Sequence, residues 1–158
     1  MILPLLRSLR PTQWAKNMFV LAPAVFAGML MDEKIALRVA LAFVAFCFAS
    51  STVYLINDIR DREEDRRHPL KKNRPLAAGT LSVPAAIGAI LVLAGAAAAI
   101  SSYLGLPFAL ILGGYLLLNL LYTLWLKHMV ILDVMSISMG FVLRVEAGGM
   151  ASGVEVSR

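Results

Sequence analysis

Long apolar stretches alternate with short polar ones along the chain, and the lengths of the apolar stretches predict membrane-spanning helices. A helix needs about 20 mostly apolar residues to cross the hydrocarbon core of a bilayer. The predicted spans cover residues 12–31, 36–56, 82–103, 108–126 and 130–149. The pattern therefore predicts an all-α, polytopic transmembrane bundle of about five spans in one membrane domain, with a charged connection at residues 57–81.

The composition supports a membrane protein and excludes several other classes. Hydrophobic residues make up 59% of the chain and charged residues 16%, whereas charged residues reach about 25% in ordinary soluble domains. The net charge of +5 does not indicate nucleic-acid binding, because the basic residues lie in short segments between the apolar stretches. The single cysteine, Cys47, lies in an apolar stretch and permits no internal disulfide.

The distribution of lysine and arginine predicts the orientation of the chain. The N-terminal segment holds three basic residues (Arg7, Arg10 and Lys16), the central connection holds seven, and one follows the fourth span, whereas the other two links hold two and none. Cytoplasmic loops carry the excess of basic residues in membrane proteins. We therefore expect a multi-pass protein of the inner (plasma) membrane whose N-terminus and charged connection are cytoplasmic.

The stretch Asn57–Pro75 holds most of the ionisable chemistry of the chain. If the second helix continues past the bilayer, Asn57, Asp61 and Asp65 are spaced at i, i+4 and i+8, and Asp58 joins the same face. Stacked carboxylates repel one another, so a compensating cation is expected. Mg²⁺ suits this arrangement, since it is commonly held by one or two carboxylates while substrate phosphates complete its coordination.

The basic residues of the same stretch are candidate phosphate ligands. Arginine makes planar, two-pronged contacts with phosphate oxygens, and lysine supplies a point charge. The candidates are Arg66, Lys71, Lys72 and Arg74. Spacing alone leaves a second interpretation open, in which this is a solvated loop whose arginines pair with neighbouring Asp and Glu residues.

The motif Asn57-Asp58-x-x-Asp61-x-x-x-Asp65, followed by Arg74-Pro75-Leu76-x-x-Gly79, resembles the first aspartate motif and the downstream segment of the UbiA superfamily of intramembrane prenyltransferases. Three further segments resemble the decaprenyl-phosphate phosphoribosyltransferase branch of that superfamily: Arg10–Asn17, Tyr122–Val134 and Arg144–Gly148. The resemblance covers the whole chain but about the first half of the family's length, and the second aspartate motif of the family is not among these 158 residues.

The resemblance implies a helical fold of eight or nine spans, with Mg²⁺-bound diphosphate over a central cavity. It implies that Asp58, Asp61 and Asp65 are the catalytic metal ligands. The substrate-binding residues that it implies are Asn57, Arg66, Lys72, Arg74, Lys16, Asn17, Tyr122, Lys127 and Arg144. Four of these have structural alternatives: Lys16, Tyr122 and Lys127 as membrane-surface anchors, and Arg144 as the partner of Glu146.

The reaction implied by the branch is transfer of a 5-phosphoribosyl group from phosphoribosyl pyrophosphate to a polyprenyl (decaprenyl) phosphate, with release of pyrophosphate. The alternative within the superfamily is transfer of a prenyl group from a prenyl diphosphate to an aromatic acceptor. A third interpretation is a non-catalytic transporter or assembly subunit that binds a phosphate-bearing partner. The expected partners are therefore a lipid phosphate and a diphosphate-bearing co-substrate, with Mg²⁺ as cofactor.

Overall fold

The computed structural model describes residues 2–126 and 129–156, and these residues form helices and turns without a β-strand. The predicted all-α class is therefore confirmed. The α-helices are α1 (Ile2–Leu9), α2 (Ala22–Phe26), α3 (Glu33–Arg60), α4 (Arg62–Arg67), α5 (Val83–Leu104), α6 (Leu106–Leu124) and α7 (Val130–Ser152). Three 3₁₀ segments lie at Pro11–Val20, Met29–Met31 and Lys71–Asn73.

Among the described residues, three helices are long and apolar enough to cross a membrane: α3, α5 and α6. The protein is therefore an integral membrane protein by length and composition. Helix α7 has 23 residues but carries Asp133, Arg144 and Glu146 within its apolar sequence. The span count of about five stays a prediction.

The predicted span at residues 12–31 differs from the structure, which breaks this stretch into three short pieces. A 3₁₀ segment ends at Val20, α2 covers five residues, and a second 3₁₀ segment follows. Gly28 lies between the last two with φ 67°, a left-handed conformation that turns the chain and that glycine adopts at little cost. Pro23 is accommodated in the first turn of α2, where no backbone N–H is needed.

Helix α3 is the central element, and α1, α5, α6 and α7 all pack against it. Asp32 caps its N-terminus by accepting hydrogen bonds from the backbone N–H groups of Lys34 (2.8 Å) and Ile35 (3.2 Å). The main core forms around Phe46, whose ring centroid lies 6.2 Å from that of Phe108 and 5.1 Å from that of Tyr115. This packing holds α6 against α3.

The charged connection is folded rather than extended. Helix α3 continues through Asn57 to Arg60, and the chain bends at Asp61 before α4. After α4, the connection returns Leu76 and Leu81 to a second core cluster, where both are buried with Leu55 of α3. The apolar residues of this segment anchor it to the bundle, and the arginine pairing expected for a solvated loop is seen at Arg66 with Glu63 (2.8 Å).

An arginine ties the ends of two helices together at the opposite end of the bundle. Arg38 Nε donates to the carbonyl oxygen of Ala151 (2.9 Å) in α7, and its Nη2 donates to that of Leu104 (3.1 Å) in α5. Carbonyl groups in the last turn of a helix lack partners within the helix and carry partial negative charge. Arg38 therefore satisfies orphan carbonyls of two helices at once.

Helix α7 approaches the N-terminal 3₁₀ segment at Gly148. A Cβ atom built on Gly148 overlaps the carbonyl oxygen of Val20 and lies 3.1 Å from Cδ of Pro23. The obstructing atom is backbone, which cannot rotate away as a flexible side chain does. Contact between α7 and this segment therefore requires glycine at position 148.

We expect Gly148→Ala to destabilise the fold by about 1–3 kcal/mol, the usual cost of overpacking a close contact. Its matched control is Gly95→Ala in the middle of α5, where an added Cβ meets no atom within 4 Å. Alanine is the better helix former there, so this control leaves stability unchanged or raises it by up to about 1 kcal/mol. The thermal midpoint of each variant in detergent, read from the monodisperse fraction that remains after heating, checks both expectations. Equal midpoints for the two variants contradict the packing argument.

Candidate functional site

Two buried carboxylates and two arginines form an ionic group at the C-terminal end of α3, the end that the sequence predicts to face the cytoplasm. Arg10 Nη2 lies 2.6 Å from Asp58 Oδ1, and Arg74 Nη1 lies 3.3 Å from the same oxygen and 2.7 Å from Asp65 Oδ2. We call Arg10, Asp58, Asp65 and Arg74 the carboxylate–arginine cluster. Its formal charges balance, two negative against two positive.

Burial within the carboxylate–arginine cluster is uneven. The Asp58 and Asp65 side chains are each 2% exposed, whereas Arg10 and Arg74 are each 26% exposed. Charges taken out of water are tolerated when they are paired and hydrogen-bonded, so the arginines are what allow these carboxylates to be buried. The cluster therefore opens to solvent on its arginine side.

The fold brings these four side chains together from separate elements. Asp58 is in the last turn of α3, and Asp65 follows two helical turns later in α4, on the same side of the chain. Arg74 ends the 3₁₀ segment that follows α4. Arg62 Nε and Arg66 Nε hold the next turn by donating to the carbonyl oxygens of Leu76 (3.2 Å) and Ala77 (3.1 Å).

The other residues predicted for this site lie around the cluster. Asp61 is half-buried at the bend between α3 and α4, and its backbone N–H donates to the carbonyl oxygen of Asn57 (2.9 Å). Arg66, expected to bind phosphate, instead contacts Glu63 (2.8 Å) and the Ala77 carbonyl in this structure. Lys72 is exposed. The structure thus unites Asp58, Asp65 and Arg74 and leaves Arg66 and Lys72 at the periphery.

Arg144 forms a second candidate site. It is 6% exposed in α7, and its Nε donates to Asn17 Oδ1 (2.8 Å), its Nη1 to the Gly140 carbonyl (2.7 Å) and its Nη2 to the Tyr115 hydroxyl (2.9 Å). No carboxylate of the described residues pairs with it, so the alternative pairing with Glu146 is not what the structure shows. A buried arginine with neutral partners keeps its positive charge uncompensated.

Arg144 faces a cavity of about 120 Å³, which we call the arginine pocket. No Asp or Glu lines it among the described residues, while Lys16 and Arg144 both do. The lining residues are Lys16, Tyr54, Tyr115, Asn119, Ser136, Ile137, Gly140, Phe141 and Arg144. A small polar cavity with two cations and no carboxylate is suited to an anion.

The remaining predicted residues are distributed as follows. Asn17 is fully buried, and its amide nitrogen donates to Ser50 Oγ (3.2 Å) and Cys47 Sγ (3.4 Å) while its oxygen serves Arg144. This geometry makes Asn17 a support for Arg144. Tyr122 interacts with Asp133, and Lys127 lies outside the described residues.

Tyr54 connects the carboxylate–arginine cluster with the arginine pocket. It lies one helical turn before Asp58 in α3, it lines the pocket, and the Arg10 guanidinium carbon is 4.8 Å from the centroid of its ring. The two sites are therefore neighbours. Sequence reasoning missed Arg10, Tyr54, Tyr115, Asn119 and Ser136, although the spacing of Tyr54 from Asp58 was a usable signal for one of them.

The carboxylates fit Mg²⁺ when a substrate completes its coordination. Among the described residues, no group of three or more His, Cys, Asp or Glu side chains is arranged to hold a metal. Asp58 and Asp65 supply two buried carboxylates, and Mg²⁺ is commonly bound by one or two carboxylates together with phosphate oxygens and water. The donor set therefore suits a metal bridged to a diphosphate rather than a metal held by protein alone.

Comparison with known proteins identifies the family. Residues 20–158 match the UbiA prenyltransferase family. The chain belongs to this family. Helices α3 to α7 and both candidate sites, apart from Arg10, Lys16 and Asn17, lie within the matched residues.

Curated relatives include two proteins named decaprenyl-phosphate phosphoribosyltransferase. The one from Corynebacterium glutamicum is 42% identical, with 98% of this chain and 48% of the relative covered; the one from Mycolicibacterium smegmatis is also 42% identical, with 98% and 50% covered. The chain thus spans about half the length of these relatives. A solved structure of a UbiA homologue from Archaeoglobus fulgidus, bound to GPP and Mg²⁺, superposes with a TM-score of 0.76 at 24% identity, covering 98% of this chain and 56% of that one. This likeness shows a shared fold.

We expect Arg74→Gln to destabilise the UbiA-family fold strongly, because among the described residues no other cation pairs with Asp65. Removing one partner of a buried ion pair costs about 3 kcal/mol or more. The matched control, Arg66→Gln, loses a surface ion pair with Glu63 and a carbonyl contact, and costs about 1 kcal/mol. Thermal midpoints in detergent compare the two, and a larger loss for Arg66→Gln contradicts the assignment.

Proposed function

We propose that the protein transfers a 5-phosphoribosyl group from phosphoribosyl pyrophosphate to a polyprenyl phosphate in the membrane and releases pyrophosphate. The observation that carries the proposal is that two different sites lie next to each other. The carboxylate–arginine cluster, which suits a metal-bound diphosphate, lies on one side of Tyr54, and the arginine pocket, which contains no carboxylate among the described residues, lies on the other. The choice of this reaction within the UbiA family is supported by the two relatives at 42% identity that are named for it.

The carboxylate–arginine cluster would hold the diphosphate of the donor. Asp58 and Asp65 would bind Mg²⁺, with Asp61 at the adjoining bend. The metal, when bound, neutralises negative charge on the diphosphate as it leaves. Arg74 stands beside both carboxylates and is positioned to donate to the diphosphate oxygens, which stabilises the same developing charge.

The arginine pocket would hold the phosphate of the acceptor. Lys16 makes no ion pair with a described residue and lines the pocket together with the buried Arg144. These cations would orient the acceptor phosphate toward the donor across Tyr54, so that the protein aligns two anionic substrates that otherwise repel each other. Asn17 and Tyr115 keep Arg144 in place through their hydrogen bonds.

An apolar groove offers room for the lipid chain. It has a volume of about 220 Å³ and lies between α3 and α6, with residues from Thr52 to Ile56 on one wall and from Leu116 to Thr123 on the other. Tyr54 belongs to the same turn of α3 that forms the first wall. The lipid phosphate at the arginine pocket and its hydrocarbon chain along the bundle would therefore lie close together.

The orientation follows from the same assignment. The carboxylate–arginine cluster belongs to the segment with the highest density of lysine and arginine, and such segments face the cytoplasm. Phosphoribosyl pyrophosphate is a soluble, highly charged compound, so it would reach the site from the cytoplasm. The lipid substrate would reach it from the membrane.

Transfer of a prenyl group is the second candidate, because the solved homologue with the same fold was bound to GPP and Mg²⁺. Both reactions expel pyrophosphate, so the carboxylates do not separate them. The arginine pocket favours an anionic acceptor, which a polyprenyl phosphate is. An aromatic acceptor that bears a carboxylate would also be anionic, and the assay below distinguishes the two.

We expect membranes containing the protein to move radiolabel from phosphoribosyl pyrophosphate into the lipid fraction when polyprenyl phosphate is present. Asp58→Asn and Asp65→Asn should each lower this turnover by about 100-fold or more, since each removes a ligand of the Mg²⁺ that would neutralise the departing diphosphate. Glu64→Gln, an exposed neighbour on α4, is the matched control and should retain activity. If the label stays in the aqueous fraction and the protein instead transfers a prenyl group from a prenyl diphosphate, the proposed reaction is wrong and the second candidate is supported.

We expect Lys16→Gln to raise KM for the polyprenyl phosphate by about fivefold, the effect of losing an interaction of about 1 kcal/mol at an exposed charge. KM for phosphoribosyl pyrophosphate should change less, because Lys16 lies at the arginine pocket. Lys34→Gln, an exposed lysine before the membrane part of α3, is the control. If Lys16 is only a membrane-surface anchor, neither KM changes selectively.

A further inference from the structure

The shortest ion pair among the described residues joins Arg10 to Asp58, a proposed metal ligand. Its Nη2 is 2.6 Å from Asp58 Oδ1, the same oxygen that Arg74 approaches at 3.3 Å. A carboxylate oxygen that already accepts from two guanidinium groups has little capacity left for a metal ion. A metal ion that binds through Oδ1 of Asp58 therefore competes with these two guanidinium groups.

Arg10 pairs with Asp58 alone of the described carboxylates, so it can withdraw without leaving Asp65 unpaired. Among the described residues, it is the one non-glycine with a positive φ (φ 53°, ψ 60°), and it precedes Pro11, which disfavours helical conformations at the preceding position. It lies in the break between α1 and the 3₁₀ segment. Arg74, in contrast, also holds Asp65 at 2.7 Å.

The neighbours of Arg10 keep its backbone in place while its side chain remains accessible. Ser51 Oγ donates to the carbonyl oxygen of Leu9 (2.9 Å) and accepts from Trp14 Nε1 (3.0 Å), which fixes the chain on both sides of Arg10 to α3. The guanidinium lies over the Tyr54 ring and is 26% exposed. The backbone of Arg10 is thus held against α3, while its guanidinium group is partly exposed to solvent.

We propose that Arg10 is a charge-exchange residue: it neutralises Asp58 before substrate arrives, yields the Asp58 oxygen to Mg²⁺, and then donates to the incoming diphosphate. This proposal rests on the proposed metal–diphosphate site and adds a residue and an order of events to it. Arg10 acts as a competitor of the metal alone and as a ligand of the metal–diphosphate pair. Its removal therefore has opposite effects on the two binding events.

The test measures binding to the purified protein in detergent, with Mn²⁺ as the spectroscopic substitute for Mg²⁺. Electron paramagnetic resonance of free Mn²⁺ gives the Kd for metal alone, and calorimetry with pyrophosphate at saturating Mg²⁺ gives the Kd for the diphosphate. We expect Arg10→Gln to tighten Mn²⁺ binding by about threefold to tenfold and to weaken pyrophosphate binding by about tenfold or more, as loss of a charged hydrogen bond does.

Two further variants control for folding and for simple loss of charge. Arg10→Lys keeps a cation at the same position, and both Kd values should stay within about threefold of the unmodified protein. Arg7→Gln removes an exposed charge one helical turn earlier, which forms no ion pair with a described residue, and should change neither Kd. The thermal midpoint of each variant shows that it is folded.

The outcomes separate the two proposals. If the unmodified protein binds Mn²⁺ and pyrophosphate, but Arg10→Gln weakens both or changes neither, Arg10 is a structural anchor of the N-terminal segment and the charge-exchange role is overturned. If the unmodified protein binds neither, or if Asp65→Asn leaves both affinities unchanged, the metal–diphosphate site itself is overturned, and Arg10 with it. If Arg10→Gln binds Mn²⁺ more tightly and pyrophosphate more weakly than the unmodified protein, both the metal–diphosphate site and the charge-exchange role are supported.

Discussion

The structure depends on the compensation of buried charge at the end of α3. Asp58 and Asp65 are almost completely removed from water, and burial of this kind is tolerated because Arg10 and Arg74 pair with them. To provide these cations, the N-terminal segment must return to α3, and the connection after α4 must fold back onto the bundle. Leu76 and Leu81 anchor that return in an apolar cluster with Leu55, so hydrophobic packing and ionic pairing hold the same segment in place.

The same constraint explains how arginines are used elsewhere in this membrane protein. Backbone carbonyls at helix ends need partners where water is excluded, and arginine reaches several at once. Arg38 serves α5 and α7, and Arg60 donates to the carbonyl oxygens of Thr123 and Leu124 at the end of α6. Arg144 is different, because its partners are polar side chains and a carbonyl around a cavity. Its charge remains available to an anion, whereas those of Arg38 and Arg60 complete helix ends.

The proposed function of this member of the UbiA family therefore depends on two neighbouring sites that differ in charge. The carboxylate–arginine cluster carries both signs of charge and suits a metal with a diphosphate, while the arginine pocket carries positive charge alone and suits a single anion. Tyr54 stands between them, under the Arg10 guanidinium. One turn of α3 thus separates Tyr54 of the arginine pocket from Asp58 of the carboxylate–arginine cluster. Movement of Arg10 would then link arrival of the donor to the freeing of its metal ligand.

The sequence by itself determined the helical class, the membrane environment and the family, because apolar length and the aspartate spacing are local properties of the chain. It also indicated Asp58, Asp65 and Arg74 as residues of one site. Tertiary structure alone decided that Arg10, 48 positions before Asp58, pairs with it, that Arg66 turns to a carbonyl, and that Asn17 supports Arg144 from 127 positions away. The physical reason is that a buried charge accepts whichever partner packing brings within hydrogen-bonding distance, and packing between distant segments leaves no periodic signal along the chain.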